Sequence, residues 1–172
     1  MLQPLMMLVA SAALRGDVPS RPVHATFPLV PRPALLRADT ISRPSMLHRE
    51  AERLLARGDV SGARTIYRTM IAYEDSVGVF PGESLWALAT IEFGRGHELG
   101  AAEVLDEVAV AAVRYGRPDW QARALLEAGL LYQAHGRTDM SNARYLALKP
   151  LLASPAISDS LRAQLTARVV MK

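Results

Sequence analysis

From Ser45 onward the apolar positions fall three and four residues apart in one stretch after another, Gly or Pro separates the stretches, and none alternates with period two. The pattern predicts seven helices. The first begins near Ser45, sets Leu47, Ala51, Leu54 and Leu55 on one face and stops at Gly58. The second, about 61–74, buries Ala63, Ile66, Tyr67, Met70 and Ile71, and the third, from Glu83 to Gly96, buries Leu85, Leu88, Ala89 and Phe93. A fourth, about 98–115, carries Ala101, Ala102, Leu105, Val108, Ala109, Ala112 and Val113, with Gly116 as its C-cap. Pro118 opens the fifth, which contains Ala122, Leu125, Ala128, Gly129 and Tyr132 and ends at His135. The sixth, about 139–149, is expected to halt at Pro150. The seventh is expected to start from Ser154 as N-cap and to present Ile157, Leu161, Leu165 and Val169.

Three of the breaks resemble one another: Arg57-Gly58-Asp59, Arg95-Gly96-His97 and His135-Gly136-Arg137. Their glycines are 38 and 40 residues apart, and a small residue (Ala63, Ala101, Ser141) follows each one five positions later. A period of this size with short turns predicts stacked antiparallel helix hairpins, an all-α solenoid.

Within this frame the chain resembles the tetratricopeptide-repeat family, whose pattern is W-x2-L-G-x2-Y, then A-x3-F, then Pro. The third repeat carries it best, with Leu125-x2-Ala128-Gly129-x2-Tyr132 and then Ser141-x3-Tyr145. The second has Leu85-x2-Leu88-Ala89 and Ala101-x3-Leu105; the first has Leu47, Ala51 and Leu54, then Ala63-x3-Tyr67. The spacing exceeds the family's usual 34, the closing proline is displaced to Pro81, Pro118 and Pro150, and Glu50 and Glu92 stand where the pattern prefers apolar groups. Small residues such as Gly129 and Ala89 fit points where two helices approach closely. The resemblance spans about 45–149 and implies a right-handed solenoid, with 154–172 standing where such arrays carry a capping helix.

It further implies that the first helix of each hairpin lines a concave, partner-binding face. The residues so placed are His48, Arg49, Glu52 and Leu55, then Trp86, Thr90 and Phe93, then Arg123, Leu126, Glu127, Leu130 and Gln133. The surface is apolar at its centre with mixed charge around it, as at interaction hot spots. Relatives that clamp a terminal carboxylate use Lys and Asn at these places; here they hold His48, Glu52, Trp86, Thr90, Leu126 and Leu130, so an apolar helical or extended peptide is the expected ligand. The competing expectations are that Trp86, Phe93 and Leu126 are ordinary core, or that the chain's own arm or seventh helix covers them.

Composition narrows the function classes. The 172 residues contain no cysteine, which removes disulfides, thiolate metal sites and thiol nucleophiles. The net charge of +3 comes from 13–44; from Ser45 on, 15 basic residues balance 15 acidic ones, which is not the basic stripe of a nucleic-acid binder. His24, His48, His97 and His135 lack the spacing of a zinc helix. Gly82-Glu83-Ser84-Leu85-Trp86 lacks the second glycine and the preceding strand of a nucleophile elbow. Glu103, Asp106 and Glu107 read as a solvated face. The expectation is a non-enzyme with no cofactor and no metal. Its partner is a protein or peptide, and a structural, self-associating subunit of an envelope assembly is the alternative.

Residues 1–14 are apolar but shorter than the roughly 20 residues of a membrane span. Ala10-Ser11-Ala12 fits a signal-peptidase site, although no basic residue precedes the apolar run. Export to the periplasm or beyond, and a plain hydrophobic terminus on a cytoplasmic protein, both stand. Six of the 11 prolines lie in 16–44, so 15–44 is expected to be an extended linker.

Overall fold

The protein's structure, a computed structural model, describes residues 38–170. The leader at 1–14 and the linker up to residue 37 lie outside the described residues. Seven helices and no strand occur among the described residues: α1 Ala38–Ala56, α2 Val60–Ser76, α3 Gly82–Gly94, α4 Glu98–Arg114, α5 Pro118–Ala134, α6 Thr138–Ala153 and α7 Asp159–Val170. The fold is all-α, and from α1 to α6 each helix packs on the next in sequence.

One turn recurs throughout. At Gly96 the backbone takes φ 76°, a region an L side chain rarely adopts. There the His97 N–H donates to the Glu92 carbonyl at 3.0 Å and the Gly96 N–H to the Phe93 carbonyl at 2.9 Å. This paired closure satisfies carbonyls that the end of α3 would otherwise leave open. The same pair of bonds closes the turns at Gly58, Gly78, Gly116 and Gly136, so the five turns fall 18 to 20 residues apart. The repeat legible at 38 and 40 residues is therefore two rounds of a single helix-and-turn unit.

Three boundaries differ from the sequence expectation. Helix α1 begins at Ala38, and Pro44 lies inside it. A proline deletes one backbone bond and strains the helix by about 3 kcal/mol, a penalty the chain absorbs here. Helix α6 runs past Pro150 to Ala153, because the carbonyl that Pro150 leaves unmatched belongs to Leu146 on the exposed face. The N-cap of α7 is Ser158, whose Oγ accepts from the Leu161 N–H at 3.3 Å, while Ser154 is the extended residue that ends α6.

Even-numbered helices are tied to one another by ion pairs between positions 38 or 39 residues apart. Arg68 of α2 donates to Glu107 of α4 at 2.6 and 3.1 Å, Arg114 of α4 to Asp75 of α2 at 2.6 Å, and Arg144 of α6 to Asp106 of α4 at 3.0 Å. Asp106 also accepts from the Tyr132 hydroxyl at 2.9 Å, which together with burial raises that phenol. Of the expected solvated face, Asp106 and Glu107 serve as rungs between hairpins, while Glu103 and Glu107 are exposed as expected. His135, at the turn after α5, makes a further link to α4, with Nε2 2.5 Å from Glu98 Oε2. Among the odd-numbered helices, the rings of Trp86 (α3) and Trp120 (α5) meet edge-on at 5.9 Å.

The core uses the expected small residues: Ala51, Ala63, Ala89, Ala101, Ala122, Ala128 and Ser141 are all buried. Glu92 is buried too, and is compensated by Arg64 of α2 at 2.5 Å, Arg95 at 3.5 Å and His97 at 3.3 Å. Glu50 is met by Arg53 and Arg57. The tightest approach is at Gly129, where an added Cβ would stand 2.7 Å from Cε1 of Tyr145. That ring is held by its hydroxyl, which donates to Gln133 Oε1 at 3.1 Å. Gly129→Ala is therefore expected to destabilise the fold by about 1–2 kcal/mol despite alanine's better helix propensity, lowering Tm by roughly 3–6 °C in a thermal melt. Gly129→Ala combined with Tyr145→Leu is expected to recover part of that loss.

Candidate binding surface

Helices α1, α3 and α5 position the residues expected on the concave face, but the structure divides them into separate environments. On α1, Arg49 is exposed and Leu55 is half-buried against the core. His48 and Glu52 are engaged within the hairpin, with His48 Nε2 3.3 Å from Glu52 Oε1 and His48 Nδ1 3.1 Å from the Tyr67 hydroxyl. Burial, with the charge of Glu52 behind it, pushes Tyr67 up to about 12. On α3, Trp86 and Phe93 are half-buried against the core, and the Thr90 hydroxyl is turned back onto the Trp86 carbonyl at 3.0 Å.

On α5 the expectation of an open groove fails. Leu126 (0%), Glu127 (2%) and Leu130 (9%) have almost no exposure, and Leu126 belongs to the core. Glu127 is covered by α7: Arg168 makes a two-pronged pair with its carboxylate, the Nη2–Oε2 arm at 2.7 Å. Gln133 stays at the surface and holds Tyr145. Trp86, Arg123 and Glu127 are brought together with Leu161, Gln164, Leu165 and Arg168 of α7 around a cavity of about 100 Å³. His48, Arg49, Glu52, Leu55, Thr90, Phe93, Leu126, Leu130 and Gln133 do not line it.

Sequence reasoning missed two features. Phe80 and Trp120 join Trp86 in an aromatic cluster, their rings 5.4 Å apart, with the Arg117 guanidinium 5.4 Å above Phe80. Aromatic residues before and at the start of helices signalled it, although the chain folds them together from three separate segments. The second is the Glu127–Arg168 pair, whose partners are 41 residues apart with no local pattern to join them.

Chemically the surface offers apolar contact, two guanidinium groups and one buried carboxylate. Among the described residues no group of three His, Asp or Glu side chains could hold a metal ion, and no helix is long and apolar enough to cross a membrane. Comparison with family models, curated proteins and solved structures gives no match to this chain.

Burial pushes Glu127 up from 4.5 to about 7, outweighing the downward pull of Arg168 and Arg123. The folded chain therefore holds this proton between pH 4.5 and about 7 while the unfolded chain has released it. The stability it contributes is complete below pH 4.5 and is lost as pH rises through about 7, a decline of about 3 kcal/mol at most. Urea unfolding midpoints measured from pH 4.5 to pH 8 are expected to fall over this window and to flatten in Glu127→Gln.

Proposed function

We propose that this chain is a non-catalytic scaffold built as a tetratricopeptide-like, right-handed solenoid, and that it receives an apolar helical peptide on the face formed by α1, α3 and α5. The observation that carries this reading is the seating of α7. A helix with two apolar anchors, Leu161 and Leu165, lies on α5 beside Trp86 and is buried there at both anchors. A surface that takes one amphipathic helix has the shape and chemistry to take another. The regular turn supports the repeat architecture, since hairpins of constant length stack with their equivalent faces aligned.

A second reading, a self-associating structural subunit of an envelope assembly, is favoured by a different observation. Val110 and Val113 of α4 and Leu146 of α6 are each more than 60% exposed. Stacking of two copies through α4 and α6 would cover them.

Selection of a displayed peptide library on the full chain separates the two. The scaffold reading expects enriched sequences with apolar residues at helical spacing, whose binding falls at least tenfold against Trp86→Ala. Enriched sequences indifferent to Trp86→Ala, or no enrichment together with a concentration-dependent dimer abolished by Val110→Lys, would favour the subunit.

A further inference from the structure

Helix α7 departs from the rule that each helix of α1 to α6 obeys. It is joined to α6 by the short segment 154–158, yet its chief packing partner is α5, and its side chains share a cavity with Trp86 of α3. It is held along one face: Ile157 just before it and Leu161 and Leu165 within it are buried and Arg168 is paired, whereas Ser160, Ala163, Thr166 and Ala167 face solvent and Gln164 lines the cavity. The fit is incomplete, because about 100 Å³ remains between α7 and Trp86, Arg123 and Glu127.

The Glu127–Arg168 pair fixes the register. Glu127 has almost no exposure and Arg168 of α7 meets both of its carboxyl oxygens, with the charge of Arg123 also acting on it, so an occupant that displaced α7 without bringing a guanidinium would leave those two hydrogen bonds unmade. Arg168 stands seven residues after Leu161 and three after Leu165, two turns along the same face of one helix.

We propose that α7 is a built-in occupant of the partner surface, and that the partner presents an amphipathic helix of the pattern Leu-x3-Leu-x2-Arg which competes with α7 for α5. This rests on the scaffold reading above and names its ligand class. Because α7 is tethered, it competes at an effective concentration in the millimolar range. The intact chain is therefore self-blocked towards a weak ligand, and a ligand gains by filling the remaining cavity with a larger apolar side chain.

The test uses the full chain and a labelled peptide with the sequence of residues 157–170, read by fluorescence anisotropy. Two variants release α7: Leu165→Glu, which removes an anchor, and Ala163→Pro, which breaks the helix at an exposed position without touching α1 to α6. Hydrogen exchange confirms that α7 opens while α3 to α6 stay protected. The expected result is binding at least tenfold tighter to the released variants than to the intact chain, lost when the peptide carries Arg168→Glu. Equal binding to intact and released chains, or no binding to a released chain that keeps α3 to α6, overturns the proposal. Loss of cooperative folding in both variants also overturns it, by making α7 an integral part of the core. A dimer of the intact chain that disappears in Ala163→Pro assigns the surface to a second copy's α7 and overturns it as well. If this inference alone fails, library binders sensitive to Trp86→Ala persist; if the scaffold reading fails, they are absent too.

Discussion

The left-handed glycine that ends a helix is the constraint from which the rest of this structure follows. Each of the five turns uses the same two backbone bonds, and each sets the next helix going after one intervening residue or, at Gly78, after a slightly longer loop. Helix length is thereby held at 13 to 17 residues from α2 to α5. Equal lengths let neighbours pack along their full extent, which is how a chain with small residues at the contacts builds a continuous core from hairpins that would be marginal alone.

The cross-links between even-numbered helices follow from that regularity. Positions 38 and 39 apart come opposite one another only because the turns do not slip, and Arg68–Glu107, Asp75–Arg114 and Asp106–Arg144 are the outcome. The exposed pairs, Arg68–Glu107 and Asp75–Arg114, contribute little stability, about 0–1 kcal/mol each, and Asp106–Arg144 is partly buried. Their sign pattern matters more for register: Arg68 faces an acid and Asp75 faces an arginine, so sliding α4 along α2 would separate both pairs together. The buried carboxylates are a different matter, since an unpaired charge there would be severely destabilising. Glu92 finds its cations within two adjacent helices and a turn; Glu127 depends on a helix that arrives from outside the regular stack.

Much of the fold was legible in the sequence because it is written locally. Helical spacing, Gly96 and its counterparts, and small residues such as Ala63, Ala101 and Gly129 each act within a few positions of themselves. What was not legible depends on geometry that no short window contains. Pro44 and Pro150 read as terminators because the rule counts a lost hydrogen bond, and cannot count whether the orphaned carbonyl reaches water, as that of Leu146 does. The pairing of Asp106 and Glu107 was not legible because their partners lie 38 and 39 residues away. Of the residues expected on the candidate surface, Trp86, Arg123 and Glu127 converge on one cavity and the other nine do not. The cover that α7 places there was not legible, because the apolar spacing of Leu161 and Leu165 says that α7 packs on something without saying on which helix.

That last ambiguity bears on how a repeat array ends. The final hairpin of any stack exposes a face that the next unit would have covered, and a terminal helix with a polar outer side is the usual remedy. Here α7 has the polar outer side but rests chiefly on α5, at the face where Trp86 and Glu127 meet. On the scaffold reading proposed above, one helix would do two jobs whose requirements conflict. Protecting the array calls for dense packing and slow release, whereas leaving the surface open to a partner calls for loose packing and few anchors. Two leucines, one arginine and an unfilled cavity answer the second requirement, while Ile157, buried at the entry to α7, answers the first. Leu126 and Leu130 of α5 are buried in the same core as Ile157, Leu161 and Leu165, so the regular stack and the terminal helix share one apolar interior.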